Sequence, residues 1–176
     1  MKSGKFVTFS RRALRTAVAS AVVLGGSGLA INAYAAAATA NATATVIAPI
    51  AISKTADLAF GKFAASTGGT VVMAPAGTRT ATGTVVLSTV TPGAAASFDV
   101  AGDNNATYAI TLPASATISS GTNTMTVGTF TSTPSATGTL SASGTETVTV
   151  GGTLTVASAQ VAGAYTGTFD MTVEYN

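Results

Sequence analysis

From residue 36 onward, short segments rich in Val, Thr and aromatic residues alternate with turn residues. No window in this part of the sequence places apolar residues at the i, i+3, i+4 and i+7 positions of a helix. The pattern therefore predicts strands, over 57–63, 70–73, 83–88, 96–100, 107–112, 122–130, 146–150, 153–156 and 167–175. The predicted breaks contain Gly and Pro, which supply the backbone angles of tight turns or end strands, and Gly151-Gly152 is one of them.

This strand pattern indicates the fold class. Many short strands at such spacing predict an all-β fold, specifically an immunoglobulin-like antiparallel β-sandwich. A closed barrel is the alternative, because alternation alone does not distinguish the two.

The first 35 residues have the pattern of a secretory signal peptide. Five of the eight basic residues lie within the first fifteen positions, and a charge-free run follows over 16–31. That run contains three glycines and is shorter than the roughly 20 apolar residues that a spanning helix needs. Ala33 and Ala35 form a small-x-small cleavage motif around Tyr34. We therefore predict an exported protein with no membrane span once residues 1–35 are removed.

The composition of the remaining chain excludes several classes of function. Three basic residues stand against six acidic ones, so a basic footprint for nucleic acid is absent. The sequence has no Cys and no His, which removes disulfides, thiolate chemistry, and the commonest general base and metal ligand. Asp103-Asn104-Asn105 follows Gly102 and predicts a turn rather than a metal site. We predict no enzymatic activity and no cofactor.

The last ten residues have strict period-two alternation. Phe169, Met171, Val173 and Tyr175 point one way, and the polar residues between them point the other. One face of this segment must therefore be buried. By periodicity alone it is an ordinary final strand of a sandwich.

The segment 36–53 precedes the predicted strands and has one apolar edge. Its apolar even positions include Ala44, Val46, Ala48, Ile50 and Ile52. Such a segment can add to the sheet of another protein as an extra strand, or it can be the first strand of its own domain. We treat it as an N-terminal extension, and residues 54–176 as the β-sandwich domain. Pro49 lacks an N–H, so it marks an unpaired side or a break.

Two details of the C-terminal region resemble the assembly motif of chaperone–usher pilins. Tyr175 is the penultimate residue of the sequence, Gly163 is fourteenth from the end, and alternating apolar residues lie between them. The resemblance implies a sandwich that lacks one strand and whose last strand borders the resulting groove. It also implies a periplasmic chaperone that fills the groove first, an outer-membrane usher, and a neighbouring subunit whose N-terminal extension replaces the chaperone.

Two further resemblances concern other parts of the sequence. The segment 56–62 (ADLAFGK) resembles an early-strand pattern of the archaic, spore-coat-like branch of pilins. The wider arrangement, through 97–100, 108–113 and 151–154 to the final strand, is similar to a bacterial domain family of unknown function found in proteobacterial exported proteins. Many pilins join their first two strands by a disulfide, and this sequence has no cysteine.

These observations lead to two alternative expectations of function. The first is a structural subunit of a surface fibre, a homopolymer assembled by donor-strand exchange after passage through the periplasm. The second is a self-complemented, immunoglobulin-like periplasmic or surface module, with a binding or coat role and its first strand paired in cis.

Overall fold

The computed structural model describes residues 35–176. The chain divides into two units, Met1–Thr43 and Ala44–Asn176, and all strands of the described residues belong to the second. Within the first unit, residues 35–43 are exposed and have no regular secondary structure. Most of the predicted signal peptide, including Ala33, lies outside the described residues.

The second unit contains twelve strands, and no helix occurs among residues 35–176. The strands are β1 Ala51–Ala56, β2 Phe63–Ala64, β3 Gly69–Met73, β4 Arg79–Gly83, β5 Val86–Leu87, β6 Ala96–Ala101, β7 Thr107–Thr111, β8 Ser115–Ser120, β9 Asn123–Thr133, β10 Thr137–Thr139, β11 Thr145–Val156 and β12 Thr172–Tyr175. All pairings between them are antiparallel. The predicted all-β class is therefore confirmed. The immunoglobulin-like sandwich and the missing strand stay predictions.

The long strand β11 organises the larger sheet of seven strands. Its first half pairs with β6 and its second half with β3, while β9 pairs along the other side of β11. The sheet continues from β6 to β1, from β3 to β4 and from β9 to β8. A second sheet has the order β10-β7-β12, and β2 pairs with β5 in a two-stranded ribbon. Both β1 and β12 are therefore edge strands.

Two apolar clusters form the core, because alternate residues of the strands point inward. The first joins the two sheets and contains Ala96, Phe98, Val100, Tyr108, Ile110, Leu140, Val148, Val150 and Met171. The second lies under β3, β9 and the second half of β11, and contains Phe60, Val71, Met73, Met125, Val127, Leu154 and Val156. Phe130 and Leu58 pack against both clusters. These two residues thus bridge the clusters.

The structure corrects the strand prediction at several places. The final strand, predicted over 167–175, covers only Thr172–Tyr175, and the predicted strand 83–88 is divided between the end of β4 and β5. β11 runs without a break through Gly151-Gly152, where a turn was predicted. A Cβ at Gly151 would lie 2.1 Å from the Met73 carbonyl oxygen, so glycine is needed there for close approach of the neighbouring chain. The predicted strand 57–63 is also wrong, since its residues lie mostly between β1 and β2.

Candidate functional site

The second unit contains an open groove with a volume of about 1180 Å³. We call it the groove. Two chain segments supply most of its border: residues 56–65, which include the end of β1 and all of β2, and residues 160–169, which lie outside the strands. The strands beneath contribute Ala96, Phe98, Ala116, Ile118, Met125, Val127, Phe130, Leu154 and Val156. Side chains of both core clusters therefore line the groove, although they are themselves buried.

Aromatic rings form the centre of this lining. Phe169 contacts Phe98 edge to face, with ring centroids 6.1 Å apart, and lies 4.9 Å from Phe130 at an interplanar angle of 30°. Such aromatic pairs contribute beyond the area that they bury. The predicted C-terminal residue Phe169 thus joins the second border segment to β6 and β9.

The second border segment has backbone groups without protein partners. In the described part of the chain, residues 167–170 form no backbone–backbone hydrogen bond, while Thr166 pairs with Ser119 of β8. The strand β12, which follows, pairs on one side only, with β7. Unpaired backbone beside exposed apolar surface can pair with an added strand.

Two glycines bring this segment close to β8. A Cβ at Gly167 would lie 2.3 Å from the carbonyl oxygen of Thr117, which is part of the backbone and cannot rotate away. A Cβ at Gly163 would lie 2.7 Å from the hydroxyl oxygen of Ser120, which can rotate. The predicted residue Gly163 therefore lies at the base of the segment, against β8. Gly167, which sequence reasoning did not single out, has the tighter contact.

The first border segment is held by Arg79 of β4. Its guanidinium donates hydrogen bonds to the carbonyl oxygens of Phe60, at 2.7 Å, and Lys62 on that segment. It also donates to the carbonyls of Ser88 and Thr91 on the chain that follows β5. One side chain thus connects two loops through four backbone acceptors. No sequence signal pointed to Arg79, because its acceptors are distant carbonyls.

The other predicted residues of the C-terminal segment follow the alternation in burial that the spacing predicts. Met171 is buried, and Val173 and Tyr175 are half-buried, while the intervening Asp170, Thr172 and Glu174 are exposed. Met171 belongs to the first core cluster. Of the predicted set Gly163, Phe169, Met171, Val173 and Tyr175, only Gly163 and Phe169 line the groove.

The predicted donor residues lie in different environments. Ala44, Val46 and Ala48 are exposed and outside any strand, and Val46 is 96% exposed. Ile50 packs against the first core cluster, and Ile52 lies in β1 opposite Val100 of β6. None of these five residues lines the groove. The second half of the candidate donor set is therefore part of the domain itself.

Ionisable groups contribute little to the groove. Lys54, Asp57 and Lys62 are exposed at its border, and Lys54 pairs with Asp57. Elsewhere, the buried hydroxyl of Tyr108 donates to the carboxylate of Glu146 at 2.8 Å. Burial, this hydrogen bond and the nearby negative charge all raise the pKa of Tyr108 far above its ordinary value. Among residues 35–176, no three acidic side chains are grouped so that they could hold a metal ion.

No helix within the described range is long and apolar enough to cross a membrane.

Comparison with known proteins adds a family and no activity. A family model described as a domain of unknown function (DUF4402) matches residues 50–175. No curated protein and no solved structure matches the chain. The match agrees with the resemblance to a domain family of unknown function, and the resemblance to pilins stays a prediction.

Proposed function

From the premise that this chain belongs to the family of domains of unknown function DUF4402, whose description assigns no activity, we propose that it is a structural subunit of a bacterial surface fibre. The groove of one copy accepts the N-terminal segment of the next copy as an added strand. The observation that carries this proposal is the apolar groove itself, which is bordered by residues 167–169 with their backbone groups unpaired among the described residues.

The size and lining of the groove suit a polypeptide strand. Small-molecule pockets span about 300–1,000 Å³, and this groove of about 1180 Å³ exceeds that range. Its lining is mainly aromatic and aliphatic, with charged side chains at the border only. A strand with small apolar side chains on one face would cover the half-buried rings of Phe130 and Phe169. Its backbone would meet the free groups of residues 167–169.

The segment 38–47 of a second copy has the required pattern. Its even positions are Ala or Val, and its odd positions before Ile47 are Thr or Asn, so an extended strand has one apolar and one polar edge. Small alanine side chains fit against the bulky rings in the groove. The donor ends before Ala48, because Ile50 and Ile52 already belong to the domain.

The energies of strand addition are sufficient for a stable contact. Full burial of Val46 would contribute about 1.5–3 kcal/mol. Each backbone hydrogen bond to the border would add about 0.5–1.5 kcal/mol net. Without an occupant, the half-buried rings of Phe130 and Phe169, and the backbone groups of residues 167–169 that are unpaired among the described residues, would promote aggregation. A periplasmic chaperone and an outer-membrane usher, which the pilin resemblance implies, would protect the groove before assembly. The protein needs no cofactor for this role.

Removal of the donor segment tests the proposal. Chains comprising residues 36–176 and 48–176 would be compared by size-exclusion chromatography and electron microscopy. We expect polymers from the longer chain only, and we expect the shorter chain to bind a synthetic peptide of residues 38–47. Residues 44–47 are outside the core clusters, so the shorter chain keeps the core intact.

Two outcomes contradict this proposal. Polymers of the 48–176 chain would exclude residues 36–47 as the donor. Monomers of the 36–176 chain, with higher stability than the 48–176 chain, would instead favour the alternative, a self-complemented surface or periplasmic module whose N-terminal segment pairs in cis.

A further inference from the structure

The hydroxyl of Tyr175 connects three separate parts of the chain. It accepts a hydrogen bond from the Asp103 N–H at 2.6 Å and donates one to the Ala48 carbonyl oxygen at 2.9 Å. Tyr175 lies in β12, Asp103 follows β6, and Ala48 precedes β1. We call this arrangement the Tyr175 clasp.

The surroundings leave room for the Tyr175 hydroxyl. A Cβ at Gly102 would lie 2.2 Å from the Tyr175 hydroxyl oxygen, so a side chain at this position would displace it. The backbone of β12 is itself held by β7, where Tyr175 pairs with Tyr108. The hydroxyl is therefore presented from a paired strand, and the Asp103 N–H orients it toward Ala48.

The clasp marks a boundary in the exposure of the chain. Just after Ala48, Ile50 packs against the first core cluster and β1 begins at Ala51. Just before it, Val46 is 96% exposed and Ile47 is 49% exposed. In the described part of the chain, no hydrogen bond other than that of Ala48 holds residues 44–49. Two large apolar side chains are thus held in solvent next to a fixed point.

We propose that Tyr175 is a positioning residue that fixes where residues 44–47 leave the domain and thereby presents Val46, on the apolar edge of that segment, to the groove of a second copy. Residues 44–53 do not line the groove of their own chain, whose border begins at Lys54. The identity of the partner rests on the proposed function. The fixed exit point rests on the clasp alone.

Paired spin labels test the clasp directly, because the chain has no cysteine of its own. Labels at Thr45→Cys and Thr147→Cys, the latter exposed on β11, report the position of the segment relative to the larger sheet. The labelled chain is diluted tenfold into unlabelled protein, so that distances within one copy dominate. We expect a narrow distance distribution, which becomes at least twofold broader in Tyr175→Phe, a variant that keeps the ring and loses both hydrogen bonds.

Tyr165→Phe is the matched control, because its hydroxyl also donates to a backbone carbonyl, that of Val161, but away from the clasp. Its distance distribution should equal that of the wild type. Gly102→Ala is a second variant that displaces the Tyr175 hydroxyl without removing it, and it should broaden the distribution as Tyr175→Phe does. An unchanged width in Tyr175→Phe, or equal broadening in Tyr165→Phe, would overturn the clasp.

Measurement of the polymerisation rate tests the role of the clasp separately from the proposed function. If Tyr175 presents the segment to a second copy, Tyr175→Phe should slow polymer formation about fivefold and leave the final amount unchanged. A broader distribution with an unchanged assembly rate would overturn the presentation to a second copy. A wild-type chain that shows the narrow distribution and never polymerises would contradict the proposed function and leave the fixed exit point intact.

Discussion

The ring centroids of Phe169 and Phe130 lie 4.9 Å apart, and the planes of the two rings make an angle of 30°. Phe130 belongs to β9 of the larger sheet, whereas Phe169 lies on the chain that leads into β12 of the smaller sheet. This contact, together with that to Phe98, joins the two sheets at the groove. It makes Phe169 part of both the fold and the proposed binding surface.

Replacement of Phe169 should therefore affect stability and strand binding together. We expect Phe169→Ala to lower the free energy of unfolding by about 3 kcal/mol, since it removes a partly buried ring and its aromatic contacts. Urea unfolding measures this change. Thr168→Ala, at the exposed neighbouring position, should stay within about 0.5 kcal/mol of the wild type. Equal losses in the two variants would contradict the assigned role of the ring.

The two glycines against β8 should differ in their tolerance of a side chain. Gly167→Ala places a methyl group against the Thr117 carbonyl and should cost about 1–3 kcal/mol by overpacking. Gly163→Ala meets only the Ser120 hydroxyl, which can rotate, and should cost less than about 1 kcal/mol. Thermal unfolding of both variants checks the order. The reverse order would show that the segment does not pass β8 as described.

Lysine should not be able to replace Arg79 as the anchor of the two loops. A lysine keeps the positive charge, but its single ammonium group cannot match the planar fork that reaches four carbonyl oxygens on two loops. We expect Arg79→Lys to increase the amide hydrogen exchange of residues 59–62 at least tenfold and to leave the exchange of β11 unchanged. Lys62→Arg, on the exposed border, serves as the control. Unchanged exchange at residues 59–62 would contradict the role of Arg79 as their anchor.

The Tyr108–Glu146 hydrogen bond predicts a particular pH dependence of stability. The pKa of Tyr108 is raised in the folded state, whereas in the unfolded state it is about 10. Above pH 10 the unfolded chain therefore binds fewer protons than the native one, and the free energy of unfolding falls as the pH rises toward the folded pKa. Below pH 10 the contribution is fully present.

Tyr108→Phe isolates this contribution. The variant should lose about 2 kcal/mol of stability at neutral pH, because a hydrogen bond to a carboxylate is removed. Its stability should then fall less steeply than that of the wild type above pH 10, since the other tyrosines are common to both proteins. Guanidinium titrations at pH 8 to 11 measure both effects. Parallel curves above pH 10 would contradict the raised pKa.

The N-terminal segment alternates between apolar and polar residues. This pattern predicts that a charge introduced at position 46 and a charge introduced at position 45 have different effects on assembly. Val46→Asp would place a carboxylate against the rings of the groove, whereas Thr45→Asp would leave it on the solvent side of the added strand. We expect a loss of polymer of at least tenfold for the first variant and less than twofold for the second. Sedimentation of assembled protein is the measurement. Equal losses would show that the segment does not bind with this face.

The sequence predicts local features of this protein well. The strands at 96–100 and 107–112, and the inward alternation of Phe169, Met171, Val173 and Tyr175, all appear in the structure at or near their predicted positions. These features depend on the two-residue period of a strand, which is visible in any short window. Signals of this kind also predicted the all-β class.

The sequence could not predict which distant segments meet. Gly151-Gly152 has the composition of a turn, yet β11 continues through it, paired with β3 and β9. Glycine is needed at Gly151 because the chain after Met73 passes too close for a side chain. Arg79 and Phe130 carried no local signal, since their roles depend on carbonyls and rings contributed by other strands. Ile50 and Ile52 share the alternating apolar positions of Val46, but Ile50 packs against the first core cluster and Ile52 pairs in β1 with Val100, whereas Val46 is 96% exposed.

The amino-acid sequence by itself therefore determined that this chain forms strands and which face of each strand is apolar, because the side-chain period and turn residues act locally. Only the tertiary structure decided where apolar surface remains uncovered. The groove between residues 56–65 and 160–169, and the hydroxyl of Tyr175 on the Ala48 carbonyl, arise from contacts between segments far apart in sequence. Such contacts depend on how the strands are ordered and paired, which alternation does not specify.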